Sequence, residues 1–229
     1  MENKKYNLNS GEVLEKLYNK KIEGYSEEEL LEAEQRLKIK LPKALRNYYL
    51  KYGKLNINTA LHEIFVPQDL DFSYNYLIEE AEEDEEELLE EDLKEETDNY
   101  LLFWVENQGV WYQGIKAEDL ENDNPNVYIT TNDDLYEWTL CSNSFDSHIL
   151  VMIYEQLMDS DFEYKELYGD NLSQIIEERN IDKEKLMSQA INSYLGQVSV
   201  YWDEENRELY YFEIRNNNLE KAVVIQEKE

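Results

Sequence analysis

Cysteine is almost missing from this 229-residue chain. Cys141 stands alone, so no disulfide closes within it, which suits a reducing compartment. Histidine is nearly as scarce: His62 and His148 are the only two, and neither lies at a zinc-ligand spacing from Cys141 or from the other. Seven glycines and three prolines leave no glycine-rich phosphate loop and no long flexible linker. No apolar run approaches the roughly 20 residues needed to span a bilayer. The opening Met1-Glu2-Asn3-Lys4-Lys5-Tyr6 lacks the apolar core of a secretory signal, so a cytoplasmic location is expected. A G-x-S-x-G elbow, a Walker loop and a dinucleotide fingerprint are absent too.

Basic residues are the remaining shortage. Against 53 Asp and Glu stand 22 Lys and Arg, a net charge of −31 at pH 7. Such a field repels nucleic acid and anionic lipid and attracts basic partners. The charge is uneven. Residues 1–54 hold 12 basic and 9 acidic residues (+3), and residues 55–229 hold 10 basic and 44 acidic (−34). What is plentiful is aromatic: 19 tyrosines and 4 tryptophans, within a hydrophobic fraction of 41%, supply a core and exclude a disordered chain.

The search for chemistry is mostly negative. With 53 acids, a glycosidase-like carboxylate pair can be drawn anywhere and carries no weight. Asp119, Glu121 and Asp123 alternate like calcium ligands, yet the loop lacks the central glycine and terminal glutamate of an EF-hand. The two histidines read as surface residues of a strand or helix, and Cys141, just ahead of a helix, reads as a small buried or semi-buried side chain. Trp104, Trp111, Tyr112, Trp138 and Trp202 either line a cleft or fill the core, and on strands the core is favoured. No catalytic residue, metal or cofactor is assigned.

The local signals are strong in one place. Ser26 with Glu29 three residues on is a capping box. Leu30, Ala33 and Leu37 then give an apolar stripe. Pro42 forces Leu41 out of the helical region and suits the start of a second helix. Ala44, Leu45, Tyr48, Tyr49 and Tyr52 mark that helix's buried face, and Gly53 is expected to close it as a left-handed cap. Residues 8–22 suggest a leading helix with Ser10 as its cap, and residues 61–67 a short strand stopped by Pro67. Residues 100–115 form the clearest hairpin, two aromatic runs around Asn107-Gln108-Gly109, buried on both faces and therefore central. Strands at residues 127–131 and 135–140 follow. Ser142 or Ser144 then caps an apolar helix containing Phe145, Ile149, Leu150, Met152, Ile153 and Leu157. Residues 171–195 suggest two helices, the second with Leu186, Ala190 and Ile191. Residues 198–202 and 208–214 suggest a hairpin turning at residues 203–206, and residues 222–226 a last strand.

Between these elements lies residues 79–96, acidic at 13 of 18 positions with Lys94 the one base. Leu77, Ile78, Ala81, Leu88, Leu89 and Leu93 fall roughly on one helical stripe, interrupted near Asp84 and Glu85. The segment is therefore either a weakly amphipathic helix or an acidic loop, since like charges at helical neighbour spacings oppose the helix.

The order of these signals resembles the SMI1/KNR4 (SUKH) family. The capped helix pair at residues 26–53, the hairpin segment Glu106-Asn107-Gln108-Gly109-Val110-Trp111-Tyr112 and the serine-capped apolar helix carry the resemblance, over about residues 24–158. It implies an α+β fold: a central, mostly antiparallel sheet with an N-terminal helix pair and a closing helix. Two parts depart from it, the acidic insert near residues 79–96 and the C-terminal third. The expected organisation is a core domain at residues 1–160 and an αα-βββ extension at residues 161–229 packed on it. In bacteria the family is known mainly for non-catalytic immunity proteins, and in eukaryotes for regulatory or scaffold modules. The resemblance and the charge together imply a cognate, basic protein toxin of the nuclease type as partner. A regulatory or scaffold module is the alternative, and an enzyme on a small substrate a third reading. Contact residues are expected at Glu82, Glu83, Asp84, Glu85, Glu86, Glu87, Glu90 and Glu91, and at Asp133 and Asp134, on charge and expected exposure.

Overall fold

The computed structural model describes residues 4–6, 8–18, 22–83, 88–130, 135–193 and 196–226. In chain order these form β1 (Lys4–Tyr6), α1 (Ser10–Tyr18), α2 (Glu27–Leu37), α3 (Lys43–Tyr52), β2 (Glu63–Ile64), β3 (Asp71–Phe72), α4 (Ser73–Glu83), α5 (Glu90–Glu96), β4 (Tyr100–Val105), β5 (Tyr112–Lys116), β6 (Val127–Thr130), β7 (Trp138–Ser142), α6 (Phe145–Leu157), β8 (Tyr164–Tyr168), α7 (Gly169–Glu178), α8 (Lys183–Ser188), β9 (Ile191–Ser193), β10 (Gly196–Asp203), β11 (Glu208–Arg215) and β12 (Asn218–Gln226). The fold is α+β, and its sheets are antiparallel. Among the described residues the strands form two six-stranded sheets. One runs β2-β4-β5-β6-β7 with β3 also on β4; the other runs β1-β10-β11-β12-β8 with β9 also on β10. By contacts the chain divides into two compact units, Glu23–His148 and Met1–Ile22 with Ile149–Glu229.

In the unit Glu23–His148, the capping box forms as the sequence predicts. Glu29 N–H donates to Ser26 Oγ (3.2 Å), and Ser26 N–H donates to Glu29 Oε2 (2.6 Å). The left-handed cap falls on Lys38 (φ 56°), where α2 ends. Gly53 is not left-handed. It keeps φ −60°, and its glycine identity answers to space: a β-carbon would lie 2.5 Å from the Tyr25 ring and 2.8 Å from the Tyr49 carbonyl oxygen. β4 is central and buried from Tyr100 to Trp104, as two apolar faces require. Its turn to β5 uses Gly109 at φ 73°, the positive value expected of that glycine. Ser144 caps α6, accepting at Oγ from Ser147 N–H (3.3 Å). The strand expected at residues 135–140 is shifted, because Leu135 takes φ 59° and pairing starts only at Trp138.

In the unit Met1–Ile22 with Ile149–Glu229, α1 is capped one residue earlier than expected. Asn9 and Glu12 exchange backbone-to-side-chain bonds (2.9 and 3.0 Å), and Ser10 is a buried first-turn residue. The hairpin turn at residues 203–206 forms around Asp203, whose Oδ1 accepts from Glu205 and Asn206 N–H (3.1 and 3.3 Å). The next hairpin turns on Asn216-Asn217, both at positive φ, which is type I′ chemistry. Leu172 and Ile176 of α7 and Leu186 of α8 pack on Tyr201, Tyr210 and Phe212 of the sheet. Ile191 leaves the expected helix to open β9, where it pairs with Val198. On the opposite side Tyr154 of α6 stacks on Tyr211 at 5.2 Å and Lys16 of α1 lies 4.4 Å over Trp202.

Gly53→Ala is expected to destabilise the chain by about 1–3 kcal/mol, the range for an added methyl without room. A lowered thermal midpoint checks this; an unchanged midpoint would show that Tyr25 yields freely.

Candidate interaction surface

The acidic segment begins as a helix because its N-terminus is tied to the sheet. Asn99 Oδ1 accepts from Tyr74 N–H and Ser73 Oγ–H (both 3.2 Å), and Ser73 Oγ accepts from Tyr100 N–H (3.0 Å). The Tyr74 hydroxyl donates to the Thr97 carbonyl (2.5 Å). Nothing basic stands in the last turn of α4, and Glu79, Glu80, Glu82 and Glu83 crowd its C-terminal half, where the helix dipole disfavours them. Burial opposes that repulsion, with Tyr74 4% and Leu77 3% exposed. In α5 the acids are placed with the dipole, Glu90, Glu91 and Asp92 forming its first turn, and Leu93 is fully buried. Asp92 accepts from Leu89 N–H (3.2 Å), and Lys94 pairs with Glu90 (3.1 Å).

Both helices rest on an aromatic sheet face. Tyr74, Leu77 and Leu93 cluster with Tyr100, Leu102 and Leu135. Tyr100 and Trp138 stack at 4.1 Å, with Tyr128 edge-on to Tyr100 at 5.3 Å. The stack depends on Gly114, since a β-carbon there would lie 2.9 Å from Tyr100 Cβ and 3.3 Å from Trp138. Tyr76 and Tyr112 meet at 5.9 Å, and burial raises the Tyr76 and Tyr100 hydroxyls to about 12. Of the tryptophans considered for a cleft, Trp104 and Trp202 are buried, and Trp111 and Trp138 are half-buried.

The sequence-predicted contact residues fall as follows. Glu82 and Glu83 end α4 and Glu90 and Glu91 begin α5, all exposed. Asp84, Glu85, Glu86, Glu87, Asp133 and Asp134 lie outside the described residues. Leu88 and Leu135, which follow those two segments in the chain, belong to the same apolar cluster. The acidic stretch is thus two helices rather than one: Leu77 and Leu93 are buried, Ile78, Ala81 and Leu88 are half-buried, and Leu89 is exposed.

The histidine reading needs correction. His148 is fully buried, because α6 turns it inward against β5 and β7. Its Nε2 lies 2.5 Å from Gln113 Oε1 and its Nδ1 3.5 Å from Cys141 Sγ. With the amide oxygen accepting from Nε2–H, Nδ1 becomes an acceptor for the thiol. A Cys–His–Gln line is the outline of an activated thiol. Here burial lowers the imidazole to about 3, so it stays neutral and gives a thiolate no cation. Cys141 is buried, as expected. Asp123 pairs with Lys43 (3.3 Å), and Asp119 accepts from Asn122 (3.2 Å). Among the described residues no group of three or more His, Cys, Asp or Glu is placed to hold a metal, and no helix is long and apolar enough to cross a membrane.

Two outcomes follow from this geometry. Leu93→Ala should cost about 2–5 kcal/mol, the range for a buried leucine, and should expose α5 in hydrogen exchange before the rest of the unit; uniform exchange would mean the helix is not separately anchored. Below pH 6.5 the unfolded chain takes up a proton that folded His148 refuses, so this group removes stability as pH falls towards 3, by about 1.4 kcal/mol per pH unit. Urea unfolding of the parent and of His148→Gln across that window should show the steeper acid loss in the parent; parallel curves would place the proton in the folded state.

A family model described as SMI1 / KNR4 family (SUKH-1) matches residues 24–150. No curated protein and no solved structure matches the chain. The matched residues contain the capped helix pair, the sheet around β4 and β5 and the start of α6. They cover more than half of the 229 residues, and the chain belongs to the SMI1/KNR4 family.

Proposed function

We propose that this protein is a non-catalytic immunity protein of the cytoplasm that binds and neutralises a cognate basic toxin of the nuclease type. The observation that carries this reading is the mounting of α4 and α5. Leu77 and Leu93 anchor them on an aromatic face, while Glu82, Glu83, Glu90 and Glu91 stay in water. Carboxylates held on anchored helices lose less freedom on binding than carboxylates on a loose chain. In a chain of net charge −31 they steer a basic partner and speed encounter. A nuclease cleft is basic because it holds phosphates, and carboxylates seated there exclude the nucleic acid without any turnover. Asp84, Glu85, Glu86, Glu87, Asp133 and Asp134 complete the proposed contact set.

The test is co-purification with the product of the neighbouring upstream gene, followed by association kinetics across a salt series. A stoichiometric complex is expected. Changing Glu82, Glu83, Glu90 and Glu91 together to Gln should slow association about tenfold and flatten its salt dependence. Equal rates in parent and variant would move the interface off the acidic helices. The absence of any toxin partner would favour the regulatory module.

A further inference from the structure

A cleft lies in the unit Met1–Ile22 with Ile149–Glu229, beyond the residues matched to the family. Sheet register arranges one face in rows across β11, β12 and β8. The first is Phe212–Ala222–Leu167, in one apolar cluster with Leu172 and Ile176 of α7. The next is Tyr210–Val224–Lys165, and beyond it Glu208 pairs with Gln226, with Glu163 just ahead of β8. These outer rows border a cleft of about 500 Å³, walled also by Tyr164, Ile175 and Arg179. That volume falls in the range of roughly 300–1,000 Å³ typical of ligand sites.

One end of the cleft already holds a guanidinium, that of Arg179. It donates to Glu208 Oε2 (3.1 Å) and lies 3.8 Å from Asp203, while the Tyr210 hydroxyl donates to the same Glu208 oxygen (2.5 Å). Gln226 Nε2 donates to the other Glu208 oxygen (3.3 Å), so Glu208 is satisfied from within the protein. The acceptors left at the mouth are the exposed Glu163 carboxylate and the Gln226 amide oxygen. Tyr164, 39% exposed, adds an aromatic face, and Ile175 and Val224 an apolar wall. The two carboxylates of the lining (Glu163, Glu208) balance its two cations (Lys165, Arg179), inside a chain at −31. An apolar wall, an aromatic face and outward acceptors in a negative field match a flat cation on an aliphatic stem.

We propose that this cleft seats an arginine side chain of a partner polypeptide, its stem along Ile175 and Val224 and its guanidinium on Glu163 and Gln226. The site is separate from the acidic helices and does not depend on the partner proposed for them. The test titrates the full chain with N-acetyl-arginine amide, N-acetyl-glutamate amide and N-acetyl-leucine amide, following backbone amide resonances. The arginine compound alone should shift residues 163–167 and 224–226. Glu163→Gln should weaken its binding about tenfold, the loss of one charge-assisted bond. Tyr164→Ala, at a side chain already partly in water, should weaken it several-fold with the remaining spectrum preserved. Equal binding of the glutamate or leucine compound, shifts confined to other residues, indifference to Glu163→Gln, or no shift at all would each overturn the proposal.

Discussion

Self-repulsion is the constraint under which everything else in this protein is arranged. Fifty-three carboxylates and 22 basic side chains cannot be paired one to one, and a compact chain at −31 pushes itself apart. Two devices offset this. The scarce cations are shared: Lys116 lies between Asp98 and Glu118, Lys221 between Glu166 and Glu213, Arg46 between Glu27 and Glu34, and Arg179 between Asp203 and Glu208. Exposed pairs of this kind are individually weak, so most of the compensation comes from the second device, aromatic burial. Tyr100 on Trp138, Tyr154 on Tyr211 and Tyr210 on Phe212 are stacked, and each large ring removes far more apolar surface than an aliphatic residue of the same backbone length.

The acidic helices make sense only on that background. Charge alone would hold residues 79–96 open, since neighbours along α4 repel and its dipole is met with the wrong sign. The sheet decides the matter by accepting Leu77 and Leu93 among its tyrosines. A surface dense in carboxylates is thereby given a defined shape without a compensating cation for each. In the same way His148 is kept neutral by its surroundings, and the thiol beside it becomes a hydrogen-bonding core residue. The chemistry of both groups is set by what covers them more than by what they are.

Legibility in the sequence follows the range of the interaction. Ser26 with Glu29, Gly109 in its turn and the alternation of β4 could be read because each signal is local. Gly53 could be read as special but not why, because the close approach of Tyr25 comes from the other end of the helix pair. His148 reads as a surface residue for the same reason: its burial depends on Gln113 and Cys141, brought from two strands. β8 carries no local signal, because Tyr-Lys-Glu-Leu-Tyr exposes all but Leu167 and lacks the alternation of a half-buried strand. The cleft beside it, formed by register among three strands, had no sequence signal at all. β1 is three residues long and carries two lysines, and nothing local marks it as part of a sheet. Of the acidic stretch the sequence shows the charge and implies exposure, found at Glu82, Glu83, Glu90 and Glu91; how those carboxylates are held depends on Leu77 and Leu93 meeting the sheet.

The placement of β1 has a consequence for how the protein is made. Lys4, Lys5 and Tyr6 pair with Asp203, Trp202 and Tyr201, while β9 takes the other end of the same strand edge. During synthesis β1 has no partner until β10 (Gly196–Asp203) emerges. At about 5–20 residues per second that wait lasts on the order of ten seconds or more. The unit Glu23–His148, complete in the chain before β10 is made, has time to fold first. β1 is therefore a late closing stitch of the sheet that holds β10.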